Sequence, residues 1–333
     1  VRVGLGGLAG CYAAIVVGAL ATPWLLRRRR IAALRRRNSA DGPKSQARLR
    51  FSARRRVGRA AAAAVALAVL ALGWTTAGVG AGGAAPPASG LRVSVLDVGQ
   101  GDAILLQPAG AAPVLVDGGP PDDGLASLLD EAGVGSLGAA IVTHDQSDHA
   151  GGIADLLGAM PVRRLLYAVL DRGMLGEARG AGARTARIAA GTELRSGRLR
   201  LDVLWPPRPL LDQPRPGEDP NRLALVMVAR WRGFSMLLSA DAEAESTPID
   251  PGPVDVLKVA HHGSEDAGLD ALLDRTRPSL SVISVGEGNP YGHPTPATLA
   301  TLAAHGVPVL RTDRDGTIVL EVSPDSVEVR TGA

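Results

Sequence analysis

Ile141-Val-Thr-His-Asp-Gln-Ser-Asp-His-Ala-Gly-Gly152 is the stretch on which the fold turns. The apolar run over residues 137–142 predicts a buried strand, and Gly151-Gly152 is expected to open an amphipathic helix. His144, Asp148 and His149 cluster between the two. Imidazole and carboxylate are ligands for a divalent ion such as zinc or manganese, and a strand-to-helix turn can aim several side chains at one point. A metal site is therefore the first expectation, with an ordinary polar surface turn as the alternative.

Working outward, 333 residues leave room for one large domain or two ordinary ones, and a hydrophobic fraction of 46% suffices for a full core. The single Cys11 excludes an intramolecular disulfide framework and any cysteine metal cluster. The net charge of +3 hides an asymmetry. Residues 1–59 hold fifteen Lys and Arg against Asp41 alone, +14, which leaves −11 for residues 60–333.

The basic part carries two uncharged apolar runs, about 3–26 and 60–83, each longer than the ~20 residues that span a bilayer core. They predict two transmembrane helices. The arginine-rich stretch 27–59 between them is expected to be a poorly ordered loop held in the cytoplasm by the positive-inside rule, with nucleic-acid binding as the competing reading. Both termini then lie outside, and residues 84–90, Ala-Ala-Pro-Pro-Ala-Ser-Gly, link the membrane segment to an extracytoplasmic domain over 91–333.

In that domain, alternating runs predict strands over 91–96, 103–107 and 113–116, a helix over 125–132, then the strand and His/Asp turn quoted above. A helix over 153–160 and a strand over 162–169 follow. Residues 170–191 are expected as a short helix and loop, 193–204 as a strand pair turned at Ser196-Gly197, and 206–220 as a long Pro-rich loop at the site's rim. A hairpin over 221–229 and 234–239 delivers Asp241, and the apolar run 254–259 delivers His261 and His262. The order is that of an αββα four-layer sandwich of the α/β class.

Five blocks narrow the reading: Val95-Leu-Asp-Val-Gly-Gln-Gly-Asp-Ala103, Leu115-Val-Asp-Gly-Gly119, Leu237-Leu-Ser-Ala-Asp-Ala-Glu-Ala-Glu245, Asp255-Val-Leu-Lys-Val-Ala-His-His-Gly-Ser264 and Tyr291-Gly-His-Pro-Thr-Pro296. With the His-x-x-x-Asp-His turn, they resemble the metallo-β-lactamase-like C-terminal domain of the ComEC family of DNA-uptake competence proteins. The two apolar runs resemble the end of that family's channel domain. The rest of the channel is not in the sequence, so the chain resembles a fragment, a truncated paralogue, or a chain whose start is misplaced at Val1.

That resemblance implies a site of His144, Asp148, His149, Asp241 and His262, with His261 as a further ligand or a substrate-facing residue. A first metal position would hold His144, Gln146 and a ligand near Asn221. A second would hold Asp148, His149 and His262, with Asp241 bridging. Gln146 stands where the family has His, and Arg222 and Ala224 break its Asn-Asn-x-Ser pattern, so one ion is expected rather than two. Asp148 and His293 are the candidate proton-transfer residues, and His305 is expected to cap a helix.

The implied function is a membrane-anchored metal-dependent hydrolase, a phosphodiesterase or nuclease acting on DNA, with a separate channel subunit as a partner. The alternative is a non-catalytic DNA-guiding or assembly module with a degraded site. A balance of −11 argues against a broad electrostatic track for nucleic acid, although arginines concentrate over residues 163–200.

Overall fold

Short runs rich in Val, Ile and Leu assort into two sheets in chain order. The computed structural model describes residues 49–51, 85, 87–212 and 219–332. The first sheet takes β1 (Leu49–Phe51), β2 (Leu91–Val95), β3 (Ile104–Pro108), β4 (Val114–Val116), β5 (Ala139–Val142), β6 (Arg164–Tyr167) and β7 (Arg184–Arg187). The second takes β8 (Glu193–Ser196), β9 (Leu199–Trp205), β10 (Val226–Trp231), β11 (Phe234–Leu238), β12 (Val256–Lys258), β13 (Leu280–Ile283) and β14 (Val309–Arg311). The chain then returns to the first sheet with β15 (Ile318–Val322) and β16 (Val327–Thr331). The strand orders are β1-β16-β15-β2-β3-β4-β5-β6-β7 and β14-β13-β12-β11-β10-β9-β8.

The period-2 alternation of each strand decides the layers. Ala139 and Ile141 of β5 pack between the sheets with Met227 and Ala229 of β10. Ala140 and Val142 turn outward onto helices α1 (Leu125–Glu131), α2 (Ser147–Ala159) and α3 (Arg172–Gly180). After the short α4 (Arg208–Leu211), α5 (Leu269–Thr276) and α6 (Pro296–Ala304) cover Val226 and Val228 on the opposite side. The last helix, α7 (Thr312–Asp315), is a single turn between β14 and β15. The result is the expected αββα sandwich.

Several local expectations need correction. Helix α2 begins at Ser147, not at Gly151. The paired glycines serve packing instead: a Cβ on Gly152 would lie 2.1 Å from the Gly118 carbonyl oxygen, and one on Gly151 2.6 Å from the Pro121 nitrogen. Within the stretch read as helix and loop, Arg184–Arg187 forms the edge strand β7 beside β6. The Pro-rich loop over 206–220 contains α4, with residues 213–218 outside the described residues, and a 3-10 turn over Pro220–Leu223 takes the start of the strand expected from 221, so that β10 begins at Val226.

No helix among the described residues is long and apolar enough to cross a membrane; the runs 3–26 and 60–83 lie outside them. The basic stretch 27–59 supplies β1, which pairs antiparallel with β16. A crossing by residues 60–83 would put that stretch and the domain on opposite sides, so the pairing and the crossing exclude each other.

Candidate metal centre

Strand direction brings the polar turns together. Strands β4 and β5 are parallel, as are β11 and β12, and the turns after them share one edge of the sandwich. Helix α2 lies directly on the Asp117-Gly-Gly turn. Gly118 N–H donates to the His149 carbonyl (2.8 Å), and Gly152 N–H donates to the Gly119 carbonyl (3.0 Å). That backbone approach is possible only without side chains on Gly118 and Gly152, and it sets Asp117 beside His149.

Each of three buried imidazoles has one ring nitrogen fixed. His149 Nδ1 lies 2.9 Å from Asp117 Oδ2, and Asp117 also accepts from the Thr143 N–H (2.8 Å) and the Thr143 hydroxyl (2.7 Å). Since the Thr143 hydroxyl spends its proton on Asp117, it accepts from His144 Nδ1, 3.0 Å away. His262 Nδ1 donates to the Ser284 carbonyl at 2.9 Å. In all three residues Nε2 is left buried with no hydrogen-bond partner.

Two of these orphaned nitrogens, those of His149 and His262, face carboxylates. His149 Nε2 lies 3.2 Å from Asp241 Oδ2, close enough for attraction though it makes no hydrogen bond there. His262 Nε2 lies 3.5 Å from the same oxygen and 3.4 Å from Asp148 Oδ2. Ligand atoms of Asp148, His149, Asp241 and His262 all fall within 4.8 Å of one another. The ring of His144 is 4.2 Å from that of His149. Unpartnered imidazole nitrogens beside carboxylates are a donor set that fits a divalent cation, and the Nδ1 contacts are the outer bonds that orient such ligands.

Charge is matched inside the cluster. Burial alone would lower the pKa of His149, but Asp241 and Asp117 pull it well above the usual imidazole value. Burial would raise Asp241, yet His149, His262 and Lys258 hold it well below the usual carboxylate range. Burial and the neighbouring His149 push His144 down to about 4, so it is neutral at pH 7. Asp148, with its side chain 28% exposed, is likewise lowered: the close approach of His262 Nε2, 3.4 Å away, and the charge of His149 outweigh burial. For Asp117, burial wins over His149 and raises the pKa.

The remaining expected residues form the rim. His261 Nδ1 sits 2.9 Å from Glu243 Oε1, and its Nε2 lies 4.0 Å from Asp241 Oδ2 and 3.4 Å from Asn221 Nδ2. The Glu243 hydrogen bond, opposed by burial, raises its pKa. His293 faces His261 with ring centroids 5.5 Å apart, and burial lowers its pKa. Gln146 occupies the N-cap position of α2, where its side chain makes no capping hydrogen bond. His305 is the C-cap of α6 and pairs with Asp270.

Three further residues support the cluster. Asp102 and Asp117 bracket His149 in a second compact group. Lys258, fully buried, binds Asp102 Oδ2, donates to the Ala240 carbonyl at 3.0 Å, and lies 3.9 Å from Asp241 Oδ1. All three stand inside the quoted sequence blocks, but nothing local in those blocks separates a supporting carboxylate from a turn residue. Backbone strain also gathers here: Asp117, Ala240, His261 and His262 all have positive φ, between 47° and 58°. Strained conformations of this kind persist where the surroundings over-determine them, as at binding sites.

Comparison with known proteins agrees with this geometry. The family model of the metallo-beta-lactamase superfamily matches residues 96–287. ComE operon protein 3 of Bacillus subtilis is 30% identical over an alignment 260 residues long that covers 68% of this chain and 32% of that protein. Recombination protein 2 of Haemophilus influenzae is 30% identical over an alignment 249 residues long that covers 72% of this chain and 30% of that protein. The chain therefore spans about a third of the length of the curated relatives it matches. Among solved structures, the metallo-beta-lactamase fold protein YhfI from Bacillus subtilis aligns with a TM-score of 0.48 at 12% identity, over 69% of this chain and 100% of that one.

Proposed function

The chain belongs to the metallo-beta-lactamase superfamily, and from that premise we propose that it is a membrane-anchored, extracytoplasmic hydrolase that cleaves phosphodiester bonds of DNA during uptake, using one divalent ion. The observation that carries the reading is the convergence of the buried, unpartnered Nε2 atoms of His149 and His262 on Asp241 and Asp148, with the ring of His144 packed beside that of His149. The name of one relative, Recombination protein 2, points to DNA as the substrate.

Asp148, His149, Asp241 and His262 would hold the ion, with His144 beside them. When bound, a divalent ion lowers the pKa of water toward neutrality and polarises a phosphoryl oxygen. Asp148 is the one partly exposed member of the tight cluster and is kept ionised, so it stands ready to accept a proton from an attacking water. His293, beside His261 at the rim, has its pKa lowered by burial, so it would act as the second proton carrier by relaying to the leaving oxygen a proton it first takes up from solvent. The amide oxygens of Gln146 and Asn221 suit a hard ion such as manganese better than zinc.

Anchoring rests on residues 3–26 and 60–83. Edge strand β1 offers three residues' worth of backbone bonds, each worth about 1 kcal/mol. An uncharged run of 24 residues gains far more by leaving water. In the membrane the chain therefore gives up β1, the arginine-rich loop stays inside, and the domain lies outside. A C-terminal tag should be digested by protease added to intact cells; a tag degraded only after lysis would reverse the orientation.

A second reading is favoured by Gln146, which replaces an imidazole with an amide: a domain that guides DNA or an uptake-channel subunit without cleaving. Metal analysis of the purified protein and assays on single- and double-stranded DNA separate the two. The expected result is about one ion per chain and slow, Mn²⁺-dependent cleavage that Asp148→Ala lowers by about 10²–10⁴-fold, the range of a lost acid–base group. Absence of both bound metal and cleavage, at any metal concentration, leaves the non-catalytic reading standing.

A further inference from the structure

The arginines concentrated over residues 163–200 are of two kinds in the structure. Arg187 pairs with Asp212 (2.8 Å), and Arg200 with Asp202 (3.0 Å) and Glu193 (3.6 Å). Arg163, Arg164 and Arg184 are exposed and have no ion-pair partner among the described residues. With Arg195, Ser196 and Gly197 they line a cavity of about 270 Å³ that has no carboxylate in its wall. Arg195 meets Glu193 at 2.5 Å on the outside. Guanidinium groups around one space repel each other, and a domain at −11 has carboxylates enough to pair them. That Arg163, Arg164 and Arg184 have no such partner among the described residues points to an anion from outside, and guanidinium is the side chain best matched to phosphate.

The place of the cavity says which anion. It lies at the starts of β6 and β7 and at the β8–β9 turn, the opposite end of the strands from the metal centre. Strand β2 is parallel to β4, β5, β6 and β7, so Leu91 and the linker before it enter at this same edge. Residues 84–90 can span at most about 25 Å when fully extended. With residues 60–83 in the bilayer, on which this inference rests, the arginine edge is tethered against the membrane surface. A DNA backbone carries a charge every ~1.7 Å and is met by a row of cations along its path; a single pocket facing away from the metal centre does not provide one.

We propose that this cavity binds the phosphate headgroup of an anionic lipid and docks the domain on the membrane with the metal centre turned outward. Cations near an anionic surface are drawn to it, and the short tether raises the effective headgroup concentration. The proposal is tested on the full chain with Cys11→Ser, carrying a single donor dye at Asp325→Cys or Glu287→Cys and reconstituted in vesicles with acceptor-labelled lipid. Both positions are exposed. Asp325 lies in the β15–β16 turn at the arginine edge, where Val322 pairs with Leu91, and Glu287 lies in the loop after β13 at the metal edge.

Replacing zwitterionic lipid by phosphatidylglycerol should raise transfer from position 325 by about twofold and leave position 287 nearly unchanged. Arg163→Glu with Arg184→Glu should abolish that rise, and Arg184→Gln alone, at an exposed strand position, should reduce it. Transfer indifferent to lipid charge, or a rise that survives the charge reversal, overturns the proposal. So does a reversal that costs affinity for a nuclease-resistant oligonucleotide while the lipid response persists, since the cavity would then serve nucleic acid. Alkaline extraction checks the anchor separately: a chain that washes off overturns the anchored reading and this inference together. A chain that stays in the bilayer without a lipid-charge response overturns this inference alone, and metal-dependent cleavage is unaffected in either case.

Discussion

The deep and the outer halves of the metal edge are built on different terms. In the deep half, His149 and His262 are 0% and 2% exposed, each has its Nδ1 committed to a fixed oxygen, and each Nε2 is left over beside Asp241. In the outer half, Gln146 and Asn221 offer amides, and His261, 30% exposed at its side chain, is tied to Glu243. Burial with one nitrogen clamped leaves the other nitrogen open to a proton or a metal ion and to little else. Partial exposure and an amide leave water as a competitor. The difference teaches that retaining ligands is not enough; the bonds behind them decide which half is ready.

The sharpest way to break this contrast is to cut one such bond in each half. Asp117 has φ +58°, a conformation asparagine adopts readily, so Asp117→Asn changes the chemistry with little backbone cost. Its amide N–H₂ would face His149 Nδ1, move the imidazole proton to Nε2 and close the coordinating nitrogen. Ion affinity should fall by about 10–100-fold, the usual cost of an outer-bond mutation at a metal site. Glu243→Gln, the matching change behind His261, should cost only a few-fold. Equal losses, read by competition with a metal-sensitive dye, would erase the distinction between the halves.

What the sequence revealed follows the same divide. His144, Asp148, His149, Asp241 and His262 could be named because each follows an apolar strand, and a strand's end is visible in a one-dimensional pattern. Asp117, Asp102 and Lys258 could not. Their roles depend on β4 lying beside β5 and on a glycine-to-glycine approach that no periodicity encodes. Gly151-Gly152 was misread for the same reason, as a helix start rather than as a contact with Gly118 and Pro121. Strand β7 escaped because Arg184-Thr-Ala-Arg187 has an edge strand's composition, with no buried residue.

A milder intervention fills the outer half rather than damaging the deep one. Gln146→His restores an imidazole next to His144, whose own Nε2 is unpartnered. Bound metal should rise from about one toward two ions per chain, and any cleavage should rise several-fold with it. Elemental analysis after desalting reads the first effect. If occupancy does not change, the outer half is limited by Asn221 and the rim rather than by residue 146, and the contrast lies elsewhere than in that one amide.

The smallest effect is a proton count, and it bears on the deep half alone. With no ion bound, His149 is held protonated between Asp241 and Asp117, its pKa well above the usual 6.5. An ion taking Nε2 must expel that proton, so affinity should rise about tenfold per pH unit below the folded pKa of His149 and level off above it. His144, at about 4, has no proton to give near neutrality and adds nothing to the slope. The ion-free protein should behave in the opposite sense. A histidine whose pKa is raised on folding contributes stability that is complete below its unfolded value and fades as pH climbs through the folded one. Rising pH should therefore strengthen ion binding while weakening the ion-free fold. Titration calorimetry at one pH in two buffers of different ionisation enthalpy measures the release directly. About one proton per ion is expected, and a release of none would mean that His149 is neutral before the ion arrives, with Asp241 holding its charge by way of Lys258 instead.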